Sequence, residues 1–186
     1  MVDVARQPGH LRRAVAALEP AAGRFLFVSS SNVYANQREV DDNEDAVLLQ
    51  PLQSDVMESM EQYGEAKMAC EQAVTGAFGA GRTLIARVGL IGGPGDGSGR
   101  SGYWPWRFAR PSNRQGAVIV PDAPDVPTAV IDVRDLATWL VSCTEAGTAG
   151  SSTPAATLCR WSTTLPRRAP SPSTPGRWSA RPATGC

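Results

Sequence analysis

Tyr63 and Lys67 stand four residues apart in EQYGEAKMACEQAV, residues 61–74, and Lys67 is the only lysine in a chain that carries seventeen arginines. Positions i and i+4 of a helix share one face. Stepping 100° per residue, the stripe through Tyr63 and Lys67 continues with Cys70, Val74 and Ala77, the small and apolar residues that a helix packed on a sheet requires. A stripe that becomes core at its C-terminal end therefore carries a phenol and an ammonium at its start. A phenol with its ordinary pKa of ~10 is a poor base at neutral pH. A neighbouring ammonium favours the phenolate and brings it toward useful proton transfer. Gly64 costs a helix about 1 kcal/mol relative to alanine, so its place beside Tyr63 implies a close approach to the backbone. The competing reading is a solvent-facing Tyr/Lys pair, which helices often carry.

A partner for the pair stands at the end of FVSSSNVY, residues 27–34. Open parallel sheets bind ligands beyond the carboxyl ends of their strands, where these serines would present hydroxyls. Serine–asparagine runs also end strands simply by satisfying backbone groups. The elements that position both motifs alternate along the chain. LRRAVAAL (11–18) has helical spacing, RFLFVSS (24–30) is an apolar run of buried-strand type, and 35–56 is a polar, acidic loop. A helix follows over roughly 57–78, then a second buried strand in RTLIARVG (82–89) and a glycine-rich loop to about Gly102. YWPWRFAR reads as a short aromatic helix or turn, AVIV (117–120) and TAVI (128–131) as strands, and Asp132 as the cap of a last helix closed by Gly147. Alternation of this kind predicts an α/β protein with a parallel sheet.

In that order, the strand, SSSNVY, the acidic loop, YGEAK, the next strand with ARVGLIGGPGD, and VIDVRDLA together resemble the extended short-chain dehydrogenase/reductase family. Within it, the NAD-dependent epimerase/dehydratase group is the nearer likeness, over residues 2–147. The resemblance implies that Ser30 hydrogen-bonds the reacting oxygen and that Tyr63 exchanges a proton with a substrate hydroxyl. It implies that Lys67 binds the nicotinamide ribose and lowers the tyrosine pKa, and that Val88, Gly89 and Leu90 line the nicotinamide pocket. A proline often stands where Val88 is, and Ala35 replaces the glycine of the family's VYG. The implied cofactor is NAD or NADP. The implied partners are a nucleotide-sugar-like or other hydroxyl/carbonyl substrate and, in the parent family, a second copy in a homodimer.

Two glycine patterns, Gly89-x-x-Gly92-x-x-Gly95 and Gly97-x-Gly99-x-x-Gly102, are rejected as dinucleotide fingerprints because the segment is expected to continue as loop rather than open a helix. Only 29 residues precede Ser30, and they contain no glycine-rich turn. The fold expected is thus a partial Rossmann-type doubly wound parallel sheet lacking its first βαβαβ half, with MVDV the tail of one strand. That half would include the strand beside RFLFVSS. Weakened cofactor binding and an exposed apolar sheet edge are the corollaries.

The zero net charge hides a split. Residues 1–150 hold thirteen basic and eighteen acidic side chains, and 151–186 hold five arginines and no acid. An acidic body carries no electrostatic footprint for nucleic acid. Six prolines in the last 36 residues, with no periodicity, predict a disordered tail over 151–186 behind an incomplete NAD(P)-binding domain over 1–150. That composition is also what an out-of-frame reading of GC-rich DNA gives. No apolar run reaches membrane length, no secretory signal opens the chain, and the four dispersed cysteines form no CxxC pair; a cytoplasmic setting is expected. The reading from another class is a non-catalytic binding or regulatory module with RNA or protein partners. His10, the 39–45 acidic run, the aromatics Trp104, Trp106 and Phe108, and Arg107, Arg110 and Arg114 have surface or packing roles as their simplest reading.

Overall fold

The computed structural model describes residues 1–36, 43–111, 118–120, 127–154 and 157–160. The chain forms two compact units, of which the larger comprises Met1–Gly89 and Asp135–Ala155. It begins with the two-residue strand β1 (Val2–Asp3), followed by helix α1 (Pro8–Leu18), β2 (Phe25–Ser30), α2 (Tyr63–Phe78) and β3 (Thr83–Val88). Pro8 starts α1 in the one helical position where a missing N–H costs nothing. β1, β2 and β3 pair in parallel, and β2 meets β3 in continuous register from Phe25↔Thr83 to Ser30↔Val88. All six residues of β2 and of β3 are buried, and both strands are dominated by apolar side chains, over 25–28 and 84–86.

Alternation along these strands sorts their side chains. Phe25, Phe27 and Ile85 face Leu11 and Val15 of α1 and Cys70, Val74 and Phe78 of α2 in one core cluster. Leu26 and Leu84 point the other way and, with Cys143 and Thr144 of helix α4 (Val133–Ala146), line a hollow on the opposite face. Arg24, just before β2, donates to the Gly147 carbonyl at the end of α4. Helices thus cover both faces, and β6 (Gly150–Ser152) completes the sheet in the order β1-β2-β3-β6.

The second unit contains β4 (Leu90–Gly92), α3 (Arg100–Ala109), β5 (Pro127–Asp132) and β7 (Thr157–Arg160). β4 runs parallel to β5, and β7 pairs with β5 antiparallel.

Several boundaries differ from those read in the sequence. α2 starts at Tyr63, preceded by a 3-10 turn over Met60–Gln62, because Pro51 and the polar run after it extend the loop. The glycine-rich loop contains β4 and ends where α3 opens at Arg100, after a left-handed Gly99. Residues 118–120 are not a strand, and Ala117 lies outside the described residues. His10 is within α1, exposed, rather than before it. β2 has a parallel neighbour in β1, supplied by MVDV itself. β6 and β7 fall within or across the start of the segment expected to be disordered; residues 161–186 lie outside the described residues. Tertiary pairing forms these two strands without any apolar alternation of their own.

Candidate functional site

β2 ends in Ser29 and Ser30, whose side chains alternate between the two faces. Ser29 turns toward α2 and donates to Glu71 Oε1 at 2.5 Å. Ser30, 8% exposed, caps the 3-10 turn Ser31–Val33: its Oγ accepts the Asn32 N–H at 3.2 Å and donates to Asn32 Oδ1 at 3.2 Å. The strand-ending role of these serines is therefore present, and it employs Ser30's own hydroxyl. A hydroxyl has one donor and two acceptor lone pairs, so Ser30 keeps acceptor capacity and can redirect its proton by rotation.

The 3-10 turn is what presses on Gly64. A Cβ there would lie 2.3 Å from the Asn32 carbonyl oxygen and 2.6 Å from Leu49 Cδ1. The close approach implied by a glycine beside Tyr63 is thus made by the backbone that follows Ser30. It seats the first turn of α2 against the end of β2. Val33, fully buried, packs with Tyr34 and Met68 beneath the same junction.

One turn further along α2, Lys67 is 2% exposed. Its Nζ donates to the Val28 carbonyl of β2 at 2.7 Å and to the Ala5 carbonyl at 2.8 Å, and lies 4.1 Å from the centroid of the Phe27 ring. Two of three ammonium donors are committed to backbone carbonyls. Burial pushes the Lys67 amine down to about 8, against the opposing pull of Cys70, Asp3 and Glu71. Cys70 shares this environment, and burial raises its thiol to about 11. Cys70 and Val74 are fully buried, so the stripe continues into the core as its spacing implies.

Tyr63 is half-buried, and its hydroxyl makes no hydrogen bond among the described residues. No hydrogen bond joins Ser30, Tyr63 and Lys67 to one another; what meets are the backbone elements that carry them. Val88 ends β3 with 5% exposure, Gly89 follows half-buried, and Leu90 opens β4 with 44% of its surface exposed.

The sequence reading missed a buried ion pair. Arg87 of β3 donates from Nη2 to Glu71 Oε2 at 2.8 Å, with both side chains about 5% exposed, and also reaches the Glu44 carbonyl and the face of the Tyr34 ring. Glu44 accepts the Thr153 N–H at 2.7 Å, and Thr153 Oγ1 lies 3.0 Å from the Tyr34 hydroxyl. The available signal was a charge inside each of two otherwise buried patterns: Glu71 one turn beyond Lys67, and Arg87 within TLIARV.

In the loop after β4, Gly97-x-Gly99-x-x-Gly102 does open a helix. The Asp96 carboxylate accepts the Ser98 N–H before that helix, and Ser98 Oγ accepts the Arg100 N–H that opens it.

The profile of the NAD dependent epimerase/dehydratase family matches residues 8–153, and the chain belongs to that family. A comparison with curated protein sequences found no match. Among solved structures, the chain is similar to a candidate epimerase from Burkholderia cenocepacia J2315, with 22% identity and a TM-score of 0.64 over 87% of this chain and 55% of that one. UDP-glucuronic acid 4-epimerase from Bacillus cereus, solved in complex with NAD, matches at 15% identity and a TM-score of 0.59 over 82% and 48% of the two chains. dTDP-4-dehydrorhamnose reductase from Yersinia enterocolitica matches at 20% and 0.58 over 76% and 45%. The chain therefore spans about half the length of these structures and shares their fold, an α/β sheet of partial Rossmann type. Among the described residues, no helix is long and apolar enough to cross a membrane.

Proposed function

We propose that this chain carries the proton-transfer half of a nicotinamide-dependent epimerase, dehydratase or reductase site, with Ser30, Tyr63 and Lys67 as its working residues. The observation that carries the reading is the seat of Lys67: a buried ammonium held at the carboxyl ends of β1 and β2, with one N–H donor left over. That donor fits a ribose hydroxyl of NAD or NADP, and the apolar end of β3 at Val88 and Gly89 fits the flat nicotinamide ring. Nicotinamide, when bound, supplies the hydride acceptor or donor.

The residues of the chain then divide the remaining work. Lys67 holds the ribose and places a positive charge one helical turn from Tyr63. Tyr63, whose hydroxyl has no hydrogen bond among the described residues, takes the proton from a substrate alcohol or returns it to a carbonyl. Ser30 turns its hydroxyl proton from Asn32 Oδ1 to the reacting oxygen. The substrate class is a nucleotide-sugar-like hydroxyl or carbonyl compound, the class that the UDP-glucuronic acid and dTDP-dehydrorhamnose enzymes name.

Saturation-transfer NMR with NADH tests this on the 186-residue chain. Saturation should reach the nicotinamide and its ribose more strongly than the adenine, should disappear in Lys67→Met and should persist in Tyr63→Phe. Saturation confined to the adenine, or unaffected by Lys67→Met, would contradict the reading.

A further inference from the structure

We propose that Asp3 is a positioning residue for Lys67: its carboxylate closes the turn that offers the Ala5 carbonyl to the ammonium, and it supplies the counter-charge that keeps the buried amine protonated. The inference rests on Lys67 being the working lysine of the function proposed above. Asp3 Oδ1 accepts the Ala5 N–H at 2.6 Å, and the Ala5 carbonyl in turn accepts Lys67 Nζ at 2.8 Å. The turn so formed is a side-chain mimic of a backbone turn, which Asp makes readily. Asp3 pairs in register with Phe27, so its side chain stands on the sheet face that carries the Phe27 ring under the ammonium.

The other charged groups around Lys67 are committed elsewhere. Glu71, on the same helix, is clamped by Arg87 and bonded by Ser29. Cys70 is a neutral thiol held up by burial, and Arg12 of α1 pairs with Asp55. β2 contributes only Phe27 and the Val28 carbonyl. Among the described residues Asp3 has no cationic partner in an ion pair, and its pull on Lys67 follows that of Cys70 and precedes that of Glu71. A carboxylate without a guanidinium, joined through the Ala5 turn to an ammonium without a carboxylate, is the arrangement that opposes loss of the proton on burial.

Because Lys67 is the only lysine, lysine labelled with carbon-13 at Cε gives one resonance whose pH titration reports this amine alone. Asp3→Asn retains the acceptor for Ala5 N–H and removes the charge; its circular dichroism should match wild type while the Lys67 midpoint falls by about one pH unit. Asp3→Glu keeps the charge and lengthens the side chain; the midpoint should stay at the wild-type value while the Ala5 amide exchanges faster. An unchanged midpoint in Asp3→Asn, or loss of its fold, overturns the proposal. A wild-type midpoint at the ordinary value for lysine would instead overturn the underlying reading of Lys67, so the two failures are distinguishable.

Discussion

Lysine, not arginine, fills the seat at position 67 because the seat is two carbonyl oxygens and a ring face. A compact ammonium on a flexible stem satisfies that geometry, whereas a planar guanidinium would bury donors with no acceptors. Charge in so buried a place has a pH signature. Lys67 falls from 10.5 to about 8 on folding, so between those values the unfolded chain binds the extra proton, and stability rises with pH by up to about 1.4 kcal/mol per unit. Cys70 works in the opposite sense: its folded value of about 11 lies above the ordinary 9.0, so its contribution declines above pH 9. Urea unfolding should show stability climbing from about pH 8 to 9 and then levelling. In Lys67→Met that climb should vanish; a climb of equal size in the variant would show that another group is responsible.

The junction of α2 with the end of β2 is where elements, rather than single residues, make the candidate site. A methyl group at Gly64 would collide with a backbone oxygen that cannot move without shifting the turn after Ser30. Gly64→Ala should therefore lose about 2–3 kcal/mol in urea unfolding. Gly76→Ala, exposed on the same helix with open space at its Cβ, should gain up to about 1 kcal/mol. Equal effects at the two glycines would refute the close-packing account. The Glu71–Arg87 pair locks the same junction from below. Arg87→Met should lose about 3–5 kcal/mol by leaving a buried carboxylate alone, and Glu71→Gln/Arg87→Met should recover most of it. This level was only half legible in the sequence. The stripe Tyr63–Lys67–Cys70–Val74 was readable because helical spacing alone fixes a face. The Ser29–Glu71–Arg87 network was not, because it joins three elements far apart in sequence. That the serines end β2 by satisfying nearby groups is one of two readings of SSSN, and local spacing alone does not choose between them.

At the scale of the whole molecule, β/α alternation was legible because buried parallel strands carry apolar stretches, as FLFV does in RFLFVSS and LIA in TLIARV. β4, β6 and β7 leave no such signal, because each is only three or four residues long and owes its state to a neighbouring strand. The four-stranded sheet ends in β1, and Met1, Val2 and Val4 on or beside that edge are 52%, 49% and 70% exposed. An apolar edge of this kind invites association through strand pairing. Val4→Lys should reduce light scattering at high protein concentration without shifting the melting temperature. Unchanged scattering would place association elsewhere on the surface.

The central claim is that Lys67 reaches a buried seat on the carbonyls of Ala5 and Val28 with its amine held at about 8. The pH titration of the single lysine resonance in the unmodified chain tests it most directly. The account predicts a midpoint near 8. A midpoint at the solvent-exposed value of ~10.4 would place the amine in water and contradict the site.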